Sequence, residues 1–225
     1  MRIADSQNDG VKAHRPGLSP YAEMKKITLP VILGILAVAL SSHAQALLVY
    51  DRAAILKGEI WRTITGNLVH FSGQHLFWDA LVLGGAGVAI ERRGYSHFGW
   101  LCLISSVTIG GSLLAFQPSV LVYGGASGIA TAAFVYLAVN GVADERQMRV
   151  WRLLCMMGLV FTVTKIASEF ITERSMFVET AGQDLAVCPV SHLAGALTAV
   201  LFFLRVQTTV SSSDCRATNA SEMLG

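Results

Sequence analysis

Ser127 and His192 are the two residues whose types and surroundings best suit nucleophilic chemistry in this chain. A serine hydroxyl attacks a carbonyl once a base takes its proton, and an imidazole with a pKa near 6.5 does so near neutral pH. Ser127 stands in Tyr123-Gly124-Gly125-Ala126-Ser127-Gly128. These glycines permit a tight, irregular backbone just before a helix. A serine opening that helix would have free backbone N–H groups and the positive end of the helix dipole around its oxygen. The competing reading is that Gly124, Gly125 and Gly128 only let helices pack closely, with the hydroxyl returned to its own backbone. His192 lies in Cys188-Pro189-Val190-Ser191-His192-Leu193-Ala194-Gly195. Its alternative is a buried ring satisfied by a carbonyl. His75 and Asp79, four residues apart, share a helix face. They either supply hydrogen bonds to an oxyanion or pair with each other. Two histidines, His70 and His75, with one carboxylate do not make a metal site, and Cys102, Cys155, Cys188 and Cys215 lack paired spacing. No metal or cofactor is expected.

The elements that must position these groups are membrane helices. Hydrophobic residues make up 53% of the 225 and charged residues 14%, against about 25% charged in soluble chains. Mean hydropathy is +0.53, and Gly94 to Ala143 contains no Asp, Glu, Lys or Arg. With about 20 apolar residues per span, an all-α bundle of six transmembrane helices is expected over 25–206. The stretches 1–24 and 207–225 are read as disordered cytoplasmic tails. Span one covers Ile27 to Tyr50 behind Lys25 and Lys26, which favour a cytoplasmic start. Residues 51–73 lie at the outer interface, with Trp61 as a headgroup-level anchor. Span two runs from about Gln74 to Ile90 and ends at Glu91, Arg92 and Arg93. Span three covers 96–116, and span four runs from Val120 to Val142. Span five covers 150–168 with Lys165 near its outer end, and an acidic outer loop from Glu169 to Val187 follows. Span six covers 188–205. The net charge of +2, with no basic cluster alternating with aromatics, excludes nucleic-acid binding as the expected function.

On these residues the chain resembles the rhomboid intramembrane serine proteases, and within them looks most like the bacterial rhombosortase branch. The resemblance covers about Gly58 to Leu204. Trp61-Arg62 followed by Thr65 resembles the family's interfacial signature, and His70 and His75 stand at its spacing before the second span. Gly87 to Glu91 and Arg92 resemble the ending of that span. Gly125-Ala126-Ser127-Gly128 matches the GxSG motif, and Ser191-His192-Leu193-Ala194-Gly195 resembles AHxxG. The resemblance implies Ser127 as nucleophile and His192 as its base, a dyad without a required carboxylate. It also implies oxyanion support from His75, position 79, the Gly125-Ala126 loop and the Ser127 N–H. Two departures stand out. Position 79 is Asp where the family has Asn, so Asp79 must be protonated, paired with His75 or turned away. Thr131 occupies the place where many rhomboids set a tyrosine against the histidine ring, and its hydroxyl is a candidate to hold that ring. Implied substrates are transmembrane or C-terminally anchored proteins, glycine-rich sorting tails among them, in the lipid of a bacterial inner membrane with both termini cytoplasmic. An inactive rhomboid-like binder and a small transporter using Asp79, Lys165 and the histidines are the alternative classes.

Overall fold

The computed structural model describes residues 27–95, 97–172 and 188–222, with side chains through 208. Helices dominate: α1 (Thr28–Ala39), α2 (Ser42–Leu48), α3 (Arg52–Leu56), α4 (Arg62–Thr65), α5 (Gly73–Arg93), α6 (Phe98–Phe116), α7 (Ser127–Ala143), α8 (Arg149–Thr172) and α9 (Pro189–Glu222). The all-α expectation is qualified by one small element. Strands β1 (Tyr50–Asp51) and β2 (Val122–Tyr123) pair antiparallel, Tyr50 opposite Tyr123. This pairing ties the start of the interfacial segment to the loop that leads into Ser127.

Among the described residues three helices are long and apolar enough to cross a membrane: α6, α8 and the Pro189–Thr208 part of α9. The pair α1 and α2 makes a fourth if it is taken as one broken span. The 21 residues of α5 would reach about 30 Å at the usual rise, but His75, Asp79, Glu91, Arg92 and Arg93 make it too polar to count by composition. Helix α7 has 17 residues and is wrapped by its neighbours, with ten buried positions from Gly128 to Gly141.

Several expected boundaries move. The uncharged run from Ile27 to Tyr50 is not one straight span: α1 and α2 meet at 106°. Polar residues explain the break. The Ser41 hydroxyl accepts from the Ala44 N–H, and the Gln45 side-chain amide donates to the Ala39 carbonyl, so both helix ends are capped locally. The run from Val120 to Val142 splits into β2, a loop and α7, because Gly125 adopts φ +143°, a conformation that helices exclude. Helix α8 continues to Thr172, past the expected end at 168. Helix α9 runs on as backbone helix to Glu222 where a disordered tail was expected from 207. No Gly or Pro interrupts 196–222, so propagation costs little once the apolar part has nucleated it. The 1–24 tail and residues 173–187 of the expected outer loop lie outside the described residues.

The interfacial segment is held by buried polar contacts. The Arg62 guanidinium donates to the Ala46 and Val49 carbonyls at the end of α2, and to Glu59. Arg62 is thus a cap for α2, while Trp61 beside it is 49% exposed, as suits an anchor. Glu91 accepts from both the N–H and the hydroxyl of Thr28, at 2.8 and 2.7 Å, so α5 supplies the N-terminal cap that α1 lacks.

Candidate active site

The site is built around the first turn of α7. Ser127 is its first helical residue, preceded by Ala126 as the N-cap position. Gly125 donates its N–H to the Gly66 carbonyl at 3.3 Å, and the Tyr123 hydroxyl donates to the Gly125 carbonyl at 3.1 Å. A Cβ on Gly125 would lie 2.5 Å from the His75 ring and 3.6 Å from Asp79. Glycine is therefore required here by φ and by the approach of α5.

Helices α7 and α9 cross backbone to backbone beside Ser127. A Cβ on Gly195 would sit 2.1 Å from the Gly128 carbonyl oxygen, and one on Gly128 would sit 2.9 Å from the Ser191 carbonyl oxygen. Small residues permit this approach, as they do wherever membrane helices touch closely. The crossing brings the N-terminal turn of α7 against the first turn of α9, which carries His192. The Tyr123 hydroxyl interacts with the side chains of both Ser127 and Ser191, linking the two turns. His192 is buried.

On the α5 side, one carboxylate is shared between two imidazoles. Asp79 Oδ2 lies 3.0 Å from His70 Nε2 and 3.1 Å from His75 Nε2. Of the options open for Asp79, the structure has the paired one, and His70 joins His75 in it. His70 Nδ1 lies 3.3 Å from the Leu68 carbonyl oxygen, an acceptor, so Nδ1 carries a proton. The Ala126 N–H points at His70 Nε2 at 3.3 Å. Asp79 is thus enclosed by the two rings, with the Ala126 N–H on the same nitrogen of His70.

On the α8 side, the structure differs from expectation. Glu169 belongs to α8 and has no solvent exposure, instead of lying in an outer loop. Its Oε2 is 2.6 Å from His192 Nδ1, and its Oε1 is 2.6 Å from Lys165 Nζ. Lys165 Nζ also stands 3.3 Å from His192 Nδ1. Thr131 does not hold the ring; its hydroxyl donates to the Ser127 carbonyl at 2.8 Å, one turn back along its own helix. Reading the sequence missed Glu169 because the span was closed at 168. The signal was present as Lys165 and Glu169, an i,i+4 pair of opposite sign at the end of an apolar run. Among the described residues no group of three or more His, Cys, Asp or Glu is arranged to hold a metal ion.

The Rhomboid domain family model matches residues 57–207, about two-thirds of the chain, and the chain belongs to the rhomboid family of membrane proteins. It is also 31% identical over 93 residues to the Rhomboid protease GluP of Bacillus subtilis (strain 168), a match covering 40% of this chain and 18% of that protein.

Proposed function

We propose that the protein is an intramembrane serine protease in which Ser127 is the nucleophile and His192 the general base. The observation that carries this reading is the crossing of α7 and α9 at Gly128 and Gly195, one residue after Ser127 and three after His192. Rhomboid family membership and the likeness to GluP support it. His192 Nε2 takes the Ser127 proton as Oγ adds to the scissile carbonyl carbon, forming a tetrahedral oxyanion. The imidazolium then gives that proton to the departing amine as the C–N bond breaks and leaves an acyl-enzyme. A water molecule adds to the ester with His192 again as base, and collapse returns the proton to Ser127 Oγ.

The N–H groups opening α7, with His75, are the donors for the oxyanion. Pairing of Asp79 with both imidazoles makes that role compatible with an acid at position 79. The substrate is a transmembrane or C-terminally anchored protein that enters from the bilayer and unwinds near small or helix-breaking residues. The placement of basic residues at alternate turns supports a six-span bundle with both termini cytoplasmic, and the sequence resemblance supports a bacterial inner membrane. The rhombosortase-like preference for glycine-rich C-terminal sorting tails is supported by the sequence resemblance alone.

The test uses purified, detergent-solubilised full chain with a fluorophosphonate probe and a transmembrane reporter substrate. Wild type is expected to label at Ser127 and to cleave the reporter, and Ser127→Ala to do neither. Wild-type cleavage by Ser127→Ala overturns the assignment.

A further inference from the structure

Helix α8 turns most of its surface outward. Its buried residues are Cys155, Thr162, Ile166 and Glu169, spaced seven, four and three apart along one stripe. Three of these are apolar or locally satisfied: the Thr162 hydroxyl donates to the Gly158 carbonyl. The fourth is a carboxylate with no solvent exposure, aimed at the histidine ring of α9. An ionisable group within a span is expensive and is kept inward only with partners, and Glu169 has two.

We infer that Glu169 is a positioning residue that completes a Ser127–His192–Glu169 triad, with Lys165 holding the carboxylate in place. This rests on the Ser127 and His192 assignment above. The distances decide where the proton sits. Nδ1 approaches Glu169 Oε2 at 2.6 Å and Lys165 Nζ at 3.3 Å. The shorter contact is a charge-assisted hydrogen bond, with Nδ1–H donating to the carboxylate. Lys165 then donates to the other carboxylate oxygen at 2.6 Å. With Nδ1 protonated, the lone pair of the neutral ring is on Nε2, which is the tautomer a base toward serine requires. A dyad holds its histidine by packing alone; here a hydrogen bond fixes the ring, and it comes from the neighbouring helix. The Thr131 hydroxyl is committed to the Ser127 carbonyl.

The two charges act on the imidazolium in opposite senses. Glu169 stabilises it, and Lys165 opposes it. Among the described residues, the other titratable groups toward this end of the bundle are Cys188 at the start of α9, Tyr123 of β2, and the His70, His75 and Asp79 group beyond the Gly125 loop. At this level α7 presents Ser127 and Thr131, neither of which titrates near neutral pH.

The experiment measures the rate of fluorophosphonate labelling of Ser127 from pH 5 to 9, and reporter cleavage in parallel, in wild type, Glu169→Gln, Glu169→Asp and Lys165→Met. Glu169→Gln is expected to slow both about 10²- to 10⁴-fold and to move the acid limb of the profile to lower pH. Glu169→Asp should recover part of the rate. Lys165→Met should move the acid limb to higher pH, because the carboxylate then acts uncompensated. Opposite displacements are the signature, since loss of packing alone would lower rates without moving the two limbs apart. Labelling by Glu169→Gln at the wild-type rate with an unmoved profile overturns the inference, as does a Lys165→Met profile superimposable on wild type. In either case loss of labelling in His192→Ala would leave the protease reading intact, whereas full labelling and cleavage by His192→Ala would remove that reading itself.

Discussion

Two imidazole–carboxylate groups flank the first turn of α7, and they are built differently. On the α5 side one carboxylate, Asp79, is shared by His70 and His75, both within 3.1 Å of the same oxygen. On the α8 side one imidazole, His192, shares its carboxylate with an ammonium, Lys165. The first group sets two imidazoles around one carboxylate oxygen and holds no fixed cation. The second sets a carboxylate between an imidazole and an ammonium, one oxygen toward each. On the proposed reading, the difference separates two tasks in acyl transfer, stabilising negative charge and accepting a proton. The same reading reconciles an Asp at position 79 with a nearby oxyanion, because the carboxylate contacts both imidazoles.

The largest effect expected is loss of function on truncating the pair at the centre. Ser127→Ala and His192→Ala should each lower turnover by about 10⁵-fold or more, read as reporter cleavage, with folding checked by thermal unfolding in detergent. Nearly as severe is Gly195→Leu. Even the first carbon of that side chain falls 2.1 Å from the Gly128 carbonyl oxygen, and a backbone atom cannot swing aside. Helices α7 and α9 must separate, so activity should vanish and the unfolding midpoint should fall together.

The α5 group is next. His75→Ala should reduce kcat by about 10²- to 10³-fold, the cost of losing one oxyanion donor. Asp79→Asn should stay within about tenfold of wild type, because an amide still pairs with an imidazole and carries no charge. If Asp79→Asn proves as damaging as His75→Ala, the carboxylate itself is needed and the division between the two groups is wrong. The smallest effect on turnover is expected at Arg62, remote from both. Arg62→Ala leaves the Ala46 and Val49 carbonyls at the end of α2 without their donor. It should cost about 1.5–3 kcal/mol of stability, measured by denaturation, with kcat in the remaining folded enzyme nearly unchanged.

Much of the site was readable from residue order. The glycines around Ser127 and after His192 marked a tight loop and a close helix crossing, because only a missing side chain allows either. The four-residue spacing of His75 and Asp79 placed them on one face, and they do share a contact. Glu169 was lost for a different reason. An acidic residue at the end of an apolar run is read by composition as the start of a loop, since composition has no means of weighing a partner on another helix. The break between α1 and α2 was missed because an uncharged run with Ser41, Ser42 and Gln45 in it still satisfies a hydropathy criterion, although capping by those polar groups favours two short helices over one.

The amino-acid sequence by itself determined the solvent of this protein, the helical class that follows from it, and the glycine framing of Ser127 and His192 that lets α7 and α9 approach. These are local or compositional properties, fixed by which backbone conformations and which transfers from water the residues permit. Only the tertiary structure decided which groups neutralise one another: Asp79 with two histidines, Glu169 with His192 and Lys165, and Thr131 with a backbone carbonyl. Charge compensation in a low-dielectric interior depends on distances of about 3 Å between groups far apart along the chain, and the packing of α5, α7, α8 and α9 sets those distances.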